Sequence, residues 1–310
     1  MTESVTAFAP ATVGNVGIGF DILGHTVQSV GDRVTAARSA TRGVRIRSIT
    51  GVHTDLPKEA ERNTAGKAVM SLWQSSGAPG GVELDIDKGI PLGSGLGGSA
   101  ASAVAAVVAA NALLDRPRPP LELLKFAMHG EQVASGSIHV DNIAPSLFGG
   151  LVLTVGVDNP RIKQIPVPAP IRCVLVHPHM VLSTLEARGI LSRTVTLSDF
   201  VWQTANLAGF ISGCYSNDLD MIRDSFEDVV IEPQRQALIP GFRDVRAAAM
   251  AGGALGCSIS GAGPTVFAWC ESARAEGIRD GMAAAFAAHG LTSDGWITSI
   301  EPAGARVVAP

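Results

Sequence analysis

The pattern of apolar and polar residues predicts a chain of mixed strands and helices. Alternating apolar and polar side chains are typical of half-exposed strands, whereas apolar residues three or four positions apart indicate helices with one buried face. Helices are predicted at residues 63–75, 99–114 and 121–134, and strands at residues 44–49, 82–86, 174–177, 255–260 and 265–269. These elements lack the regular β–α–β order of a doubly wound sheet, which indicates the α+β class.

One further helix is marked by its start. Ser183 and Glu186 have the spacing of a capping box, in which each side chain binds a backbone N–H group at the helix N-terminus. We therefore predict a short helix that begins at this point and runs through Arg188.

A proline-rich segment divides the chain near its middle. Residues 158–170 contain four prolines, and proline can continue neither a helix nor a central strand, so this segment is a connector or an edge strand. The halves on either side have roughly 155 residues each, close to the usual size of a domain. We predict one domain over residues 1–158 and a second over residues 159–310.

Composition and charge exclude several classes of protein. Hydrophobic residues make up 46% of the 310 residues, which excludes a disordered chain. The 24 basic and 28 acidic residues give a net charge of −4, which argues against nucleic-acid binding. Residues 89–114 carry no charge, but they are mainly Gly, Ala and Ser and include Pro91, so a membrane-spanning helix is not expected.

The cysteines and the start of the chain indicate the cell compartment. Cys173, Cys214, Cys257 and Cys270 show no metal-binding spacing, so we expect reduced, buried thiols. The first residues have neither the basic nor the apolar region of a secretory signal. A cytoplasmic protein without membrane or nucleic-acid partners is expected.

The strongest chemical signal is a glycine-rich loop that leads into a helix. Four glycines precede a helix start near Ser99, and helix N-termini present unpaired N–H groups and partial positive charge that suit a phosphate. A flexible turn that allows close packing is the alternative interpretation. The loop residues proposed to bind the phosphates are Pro91, Leu92, Gly93, Ser94, Gly95, Leu96, Gly97, Gly98, Ser99 and Ala100.

Two familiar phosphate loops do not fit this segment. A P-loop needs a lysine directly after its glycines, but Lys88 precedes them and Lys125 lies far beyond them. The dinucleotide fingerprint GxGxxG is formally present, yet the preceding strand alternates with acidic residues and is separated from the loop. We therefore reject a Rossmann site.

Without a loop lysine, a nucleoside triphosphate needs another source of positive charge. Mg²⁺ held by a hydroxyl and a carboxylate would supply it. Ser99 is the hydroxyl candidate. Glu131 is the carboxylate candidate, because it falls between Leu124 and Ala127 in the apolar stripe of its helix and needs a partner there. The alternative is a helix that ends early and leaves Glu131 in water.

The glycine loop resembles the phosphate loop PxGxGLGSSAA of the GHMP small-molecule kinases, with Gly98 where the family usually has a first serine. Two further motifs of that family match residues 9–21 (APATVGNVGIGFD) and residues 259–265 (ISGAGPT). The resemblance implies a two-domain α+β architecture, with an N-terminal domain like ribosomal protein S5 domain 2 and a C-terminal ferredoxin-like α/β sandwich. It also implies ATP and Mg²⁺ as cofactors, with Ser99 and Glu131 at the metal.

Segments in the middle of the chain are similar to the subfamily that phosphorylates homoserine. They are residues 135–145 with residues 148–150, residues 183–188, and residues 232–235 with residues 239–242. The resemblance implies transfer of the γ-phosphoryl group of ATP to the side-chain hydroxyl of L-homoserine, a step of threonine biosynthesis. It also allows a homodimer, although no stretch of the sequence assigns an interface.

The resemblance implies a role for each of several polar residues. Arginine binds planar carboxylates through a rigid fork of donors. The implied roles are substrate carboxylate binding by Arg188 and Arg235, ammonium binding by Asn15, Asp21 and Asp141, orientation of the hydroxyl by His139 and Asn142, and an adenosine-side position for Asn63. Asn142 occupies the place where many relatives have an aspartate base, so no side-chain base is expected and the phosphate itself accepts the proton.

Each of these residues also has a purely structural interpretation. Arg188 would be a surface residue, and Arg235 would pair with Glu232. Asn15 would occupy a left-handed turn. Asp21 and Asp141 would cap turns, and His139 would be a satisfied structural histidine.

Two other functions stay open on the sequence alone. Another GHMP kinase would act on mevalonate or a sugar, but those substrates have no ammonium group for Asp21 and Asp141. A nucleotide-binding regulator without catalysis is the second alternative. Such a protein would have no need to retain both Ser99 and Glu131.

Overall fold

A computed structural model describes residues 3–135, 138–156, 159–300 and 303–309. The strands are β1 Ser4–Gly14, β2 Leu23–Ser39, β3 Gly43–Gly51, β4 Gly81–Lys88, β5 Leu151–Val155, β6 Arg161–Ile165, β7 Ile171–Pro178, β8 Gly256–Ile259, β9 Val266–Glu271, β10 Ser293–Thr298 and β11 Arg306–Val308. The helices are α1 Thr64–Ser76, α2 Gly98–Ala112, α3 Pro120–Ser135, α4 Val140–Phe148, α5 Thr184–Gly189, α6 Leu197–Ser216, α7 Leu219–Asp224, α8 Glu232–Arg235, α9 Phe242–Ala251 and α10 Ala275–Ala288.

The described strands form two sheets. The larger has the order β11-β1-β2-β4-β3, with β5 pairing β2 and β6 pairing β5, and only its β3–β4 pair is parallel. The smaller is antiparallel, with the order β10-β7-β9-β8. Helices α1 to α4 pack together with α2 against β1 and β2, whereas α9 and α10 cover the smaller sheet. The predicted α+β class is confirmed.

The chain crosses between the sheets more than once. Strand β6 follows residue 158 yet pairs with β5 at the edge of the larger sheet, and β11 returns from the C-terminus to pair with β1. The edge position of β6 agrees with the neighbouring prolines, which a central strand would not tolerate. Residues 157 and 158 lie outside the described residues, and the division into 1–158 and 159–310 stays a prediction.

Helix α2 is buried on nearly all sides, which explains its lack of charge. Its residues are mainly alanine and valine, and most are inaccessible to solvent. The small side chains let β1, β2, α1 and α3 approach the helix closely from several directions. Within the described part of the chain, no helix has both the length and the apolar character required to cross a bilayer.

One apolar cluster is shared by the two sheets, and a second lies between the smaller sheet and helices α9 and α10. Trp269 of β9 belongs to the same buried cluster as Leu23 and Val27 of β2. Its indole Nε1 donates to Nε2 of His25, also on β2, over 3.1 Å. All four cysteines are free and buried, as predicted.

Candidate functional site

The three glycine-containing segments, at residues 9–21, 91–102 and 259–265, come together in space. Short hydrogen bonds join each of them to another. They run from the Thr12 N–H to the Leu96 carbonyl (3.1 Å), from the Gly261 N–H to the Gly14 carbonyl (3.1 Å), from the Ser260 hydroxyl to the Gly95 carbonyl (2.8 Å) and from the Thr265 hydroxyl to the Ser94 carbonyl (2.6 Å). Segments far apart in the sequence therefore form one continuous backbone surface.

Glycine is required in the loop because neighbouring atoms leave no space for side chains. Gly95 and Gly97 have φ values of 77° and 67°, in the left-handed region that glycine tolerates best. A Cβ atom at position 95 would lie 2.4 Å from the Ser260 carbonyl oxygen, and one at position 97 would lie 2.2 Å from Thr12 Oγ1.

The loop also prepares the start of α2 for an anion. Gly97 is the residue before the first helical turn, and it offers no side chain to cap that turn. The first N–H groups of the helix are left available, which is what binding of a phosphate at a helix N-terminus requires.

A cavity of about 700 Å³ opens beside the loop and contains most of the predicted site residues. Its lining includes Asn15, Asp21, Asn63, Pro91, Leu92, Gly93, Ser94, Gly95, Gly97, Gly98, Ser99, Glu131, His139, Asp141, Asn142, Arg188 and Arg235. Leu96 and Ala100 belong instead to the buried core. Their side chains therefore hold the loop in place from behind and do not face the cavity.

Glu131 is buried and paired with the serine that the sequence singled out. Only 3% of it is exposed, and Ser99 Oγ donates to its Oε1 over 2.8 Å. The alternative of a helix that ends early is wrong, because α3 continues to Ser135. The other oxygen, Oε2, is also buried and has no hydrogen-bond partner among the described residues.

That unpartnered oxygen fits a cation. A buried carboxylate oxygen without a donor is costly, so a positive ion at this place would compensate it. The described residues contain no cluster of three or more His, Cys, Asp or Glu side chains suited to a metal. One carboxylate and one hydroxyl suit Mg²⁺, which usually takes few protein ligands and completes its shell with phosphate and water.

The turn between β1 and β2 is held by Asn15. This residue has a left-handed φ of 67°, as the structural interpretation predicted. Its Oδ1 accepts from the Asp21 N–H over 3.0 Å, and its Nδ2 donates to the Gly261 carbonyl over 2.9 Å. These bonds present Asp21 to the cavity.

Asp21 forms a bidentate ion pair with Arg188. The two nitrogen–oxygen distances are 3.0 and 2.7 Å, and both side chains are partly exposed. Hydrogen bonding to Asp21 raises the pKa of Arg188. The groups expected at opposite ends of a substrate zwitterion thus neutralise each other in this structure.

Arg235 lies deeper than Arg188, with 3% of its surface exposed. It donates to the carbonyls of Ala187 and Gly261 over 3.0 and 3.1 Å, and burial lowers its pKa. The expected alternative pairing with Glu232 is wrong, because Glu232 pairs with Arg246 at 3.4 Å. The guanidinium groups of Arg235 and Arg188 both stack on the ring of Phe20, at 5.2 and 5.4 Å from its centre.

Helix α4 contributes the remaining acid and amide. Asp141 is buried and accepts from the Asn15 N–H over 3.1 Å, and burial together with the nearby Asp21 raises its pKa to about 6. The Oδ1 of Asn142 accepts from the Thr12 hydroxyl over 2.8 Å. Of the matched segment that precedes the helix, Gly136 and Ser137 lie outside the described residues, as does the side chain of Ser135.

His139 lies near both Glu131 and Asp141. Its Nδ1 lies 3.4 Å from Glu131 Oε1. Burial by itself lowers its pKa, but the hydrogen bond to Glu131 and the charge of Asp141 outweigh that effect, so the pKa is raised. The imidazole is therefore more basic than that of a free histidine.

One sequence expectation is wrong in its local detail. Ser183 precedes α5 as predicted, but its side chain forms no capping bond with any described residue, so the capping box is wrong. The side-chain amide of Asn63 is engaged in local structure, because it accepts from the Ala65 and Gly66 N–H groups and donates to the Pro57 carbonyl. An adenosine-side role of Asn63 stays a prediction.

No role at this site was predicted for Lys88, Asp32 or Ser102. Lys88 lines the cavity although it precedes the glycine loop, and Asp32 and Ser102 bind its side chain. The signal was present, since alternation from Val82 along β4 places Lys88 on the buried face. A lysine on the apolar side of a strand needs a buried partner.

Comparison with known proteins agrees with this geometry. Residues 63–150 match the GHMP kinases N terminal domain, and residues 210–288 match the GHMP kinases C terminal family. A homoserine kinase from Xanthomonas campestris pv. campestris (strain B100) is 51% identical over 304 residues, which cover 98% of this chain and 94% of that protein.

Solved structures give the same result. The crystal structure of homoserine kinase from Cytophaga hutchinsonii is 44% identical, covers 99% of this chain and 98% of its own, and superposes with a TM-score of 0.96. The mevalonate kinase from L. major, at 16% identity and a TM-score of 0.70 over 98% of this chain and 100% of its own, shares the fold. The chain belongs to the homoserine kinases of the GHMP kinase family.

Proposed function

We propose that the protein transfers the γ-phosphoryl group of ATP to the side-chain hydroxyl of L-homoserine, giving ADP and O-phospho-L-homoserine. One observation supports this most strongly. The cavity beside the uncapped start of α2 is also lined by the guanidinium groups of Arg188 and Arg235 and by the carboxylates of Asp21 and Asp141. L-Homoserine carries a carboxylate, an ammonium group and a hydroxyl, and ATP carries the phosphates, so this combination of groups matches both substrates.

The loop and the start of α2 would hold the triphosphate. Backbone N–H groups bind phosphate oxygens without a change of charge state, and the helix dipole favours anions at this end. Ser99 and Glu131 would hold Mg²⁺, which when bound neutralises negative charge on the β- and γ-phosphate oxygens. The unpartnered Glu131 Oε2 supports this assignment.

The charged groups opposite the loop would hold the amino acid. Arg188 and Arg235 would bind its carboxylate, while Asp21, Asp141 and Asn15 would bind its ammonium group. Because Asp21 and Arg188 pair with each other here, a bound zwitterion would replace that ion pair with two new ones. A ligand with only one of the two charges would leave a partner uncompensated.

Asn142 and His139 would orient the hydroxyl toward the phosphate. An amide does not accept a proton at neutral pH, so Asn142 is not suited to be a general base. His139 is engaged with Glu131 Oε1 through Nδ1, which fits an orienting role. The hydroxyl proton would then pass to the transferred phosphoryl group, and rate enhancement would come from positioning and charge neutralisation.

Mevalonate or a sugar is a weaker alternative substrate. Neither has an ammonium group, so Asp141 would remain buried without a cation from the ligand. A regulator without catalysis is weaker still, because it has no use for the buried and incompletely paired Glu131. The homodimer, the cytoplasmic location and the place in threonine biosynthesis stay predictions.

The test is ADP release with L-homoserine, L-serine, mevalonate and galactose measured side by side. We expect kcat/KM for L-homoserine to exceed that for the other three by about 100-fold or more, since buried charged groups discriminate strongly against ligands that leave them unpaired. The Glu131→Gln variant serves as the inactive control. Faster turnover of mevalonate or galactose, or no turnover of any of the four, would reject the proposal.

A further inference from the structure

Lys88 ends β4, five positions before the first glycine of the phosphate loop, but its side chain reaches the far end of that loop. The residue is 5% exposed. Its Nζ donates to the Gly98 carbonyl over 2.9 Å and to Ser102 Oγ over 2.8 Å, and it pairs closely with Asp32. Gly98 and Ser102 both belong to the first turns of α2.

The three N–H groups of this ammonium are all engaged. An ammonium group has three donors, and Asp32, Gly98 and Ser102 supply three acceptors. No donor is left over for a phosphate oxygen while these bonds persist. The contacts are those of a residue that holds protein groups in place.

Asp32 extends the network to the start of the loop. Its Oδ1 accepts from the N–H groups of Gly89 and Ile90 over 3.0 and 3.2 Å. Its Oδ2 accepts from Ser102 Oγ over 2.6 Å as well as from Lys88. One fully buried carboxylate on β2 thus binds the backbone before the glycine loop directly and reaches the start of α2 through the side chains of Lys88 and Ser102.

This network acts at the two ends of the loop, whereas the bonds from Thr12, Ser260 and Thr265 hold its middle. Gly93, Gly95 and Gly97 adopt left-handed conformations and have no side chains to anchor them. Ser99, whose hydroxyl faces Glu131, directly follows the clamped Gly98. A shift of the first turn of α2 would move that hydroxyl.

We propose that Asp32, Lys88 and Ser102 form a positioning network that fixes both ends of the phosphate loop and thereby places the Ser99 hydroxyl opposite Glu131. The inference rests on the proposed function of the loop as the ATP phosphate site. It assigns Lys88 to the loop's geometry, and direct contact between Lys88 and the phosphates is the competing role that the experiment tests.

The decisive variant is Ser102→Ala, which removes one hydroxyl and keeps both charges of the network. The matched control is Ser146→Ala, because Ser146 is also a buried helical serine, bonded to the Pro10 carbonyl, outside the cavity lining. The measurements are the affinity for MgADP by isothermal titration calorimetry, KM for ATP and for L-homoserine, and the thermal midpoint of unfolding.

We expect Ser102→Ala to weaken MgADP binding and raise KM for ATP by about 10-fold, in the range found when groups that support a metal ligand are removed. KM for L-homoserine should change less than about 2-fold, and Ser146→Ala should leave all three values unchanged. If Ser102 had a purely structural role, Ser102→Ala would lower the thermal midpoint of unfolding without raising KM for ATP more than KM for L-homoserine.

Two results would overturn the proposal. One is Ser102→Ala with the nucleotide affinity of the unchanged protein. The other is a loss of nucleotide affinity in the double variant Lys88→Met/Asp32→Asn but not in Ser102→Ala. The double variant removes both charges together, so neither is left buried alone. Such a result would indicate that the Lys88 ammonium acts on the phosphates directly. The calorimetric comparison needs no homoserine, so a failure to phosphorylate homoserine would reject the proposed function and still leave this inference testable.

Discussion

Glu131 is a single carboxylate whose two oxygens have different surroundings. Oε1 accepts from Ser99, and Oε2 has no partner among the described residues. A helix that carries a glutamate in its apolar stripe loses stability unless that charge is compensated. The residue is therefore most simply understood as half of an ion site.

Asn142 provides a test of the mechanism without a base. We expect Asn142→Ala to lower kcat, but by less than about 10⁴-fold, because orientation and hydrogen bonding are lost while no proton acceptor is removed. Steady-state ADP release with saturating ATP and L-homoserine measures this. The matched control is Asn111→Ala, a buried amide that bonds Arg118 at the end of α2 and should leave kcat unchanged. A larger loss for Asn142→Ala would indicate that a catalytic proton transfer depends on it.

Asp141 predicts how homoserine binding depends on pH. Its pKa is raised to about 6, and only the ionised form attracts an ammonium group. As pH falls through 6, KM for L-homoserine should rise and approach a tenfold increase per pH unit, while KM for ATP changes little. The Asp141 carboxyl group also interacts with the charges of Asp21, His139 and Arg188.

The Asp141→Asn variant separates this group from its neighbours. KM for L-homoserine should then be high at neutral pH and nearly constant from pH 5 to pH 7. A parent protein whose KM for L-homoserine is flat over that range would contradict the assignment of Asp141 to the ammonium group.

Residue identities at the site were predictable only in part from the sequence. Ser99 and Glu131 were found by physical argument, since a glycine loop before a helix and a glutamate in an apolar stripe are both local patterns. The Asp21–Arg188 pair was not foreseen, because 167 positions separate its members and no local pattern records their contact. Lys88 was overlooked although the alternation of β4 carried the signal.

At the scale of elements, the two longest strands were not predicted. β1 is buried along nearly its whole length, so it lacks the apolar–polar alternation that revealed β3 and β4. β2 extends over 17 residues, and its pairing with β1 shifts register between Pro10 and Ala11. Periodicity identifies half-exposed strands and amphipathic helices best, and it fails where an element is surrounded by core.

The contact between β2 and β9 predicts a dependence of stability on pH. His25 accepts from Trp269 through Nε2, so its Nδ1 carries the proton toward the Thr26 carbonyl and the ring is neutral. Burial lowers its pKa from 6.5 to about 4. The unfolded chain takes up a proton below pH 6.5 while the folded chain resists it until about pH 4, so the stability present above pH 6.5 is lost as pH falls.

The loss of unfolding free energy from this residue should reach about 3 kcal/mol at pH 4, at 1.36 kcal/mol per unit of pKa shift. Denaturant unfolding of the parent protein and His25→Gln between pH 7 and pH 4 measures it. The difference between the two proteins should shrink or reverse as pH falls. Exposed His129→Gln should keep the parent's pH dependence, and an equal pH dependence in His25→Gln would contradict the account.

At the scale of the whole molecule, distant parts of the chain are interleaved around one cavity. The loop after β4 contacts the end of β1 and the turn between β8 and β9, and the C-terminal β11 returns to the first sheet. Composition and periodicity predicted the class of fold, whereas the division into two halves stays a prediction. They could not predict the return of β11 or the crossing of β6, because sheet pairing depends on surfaces that form only in the folded chain.

The central claim is that the glycine loop encloses the triphosphate with a divalent ion between Ser99 and Glu131. The most direct measurement is anomalous diffraction from crystals grown with Mn²⁺, a non-hydrolysable ATP analogue and L-homoserine. The account predicts a metal peak at about 2.0–2.3 Å from a Glu131 carboxylate oxygen, with the phosphates against residues 93–99. A nucleotide bound elsewhere, or a loop complex without a metal peak beside Glu131, would contradict it.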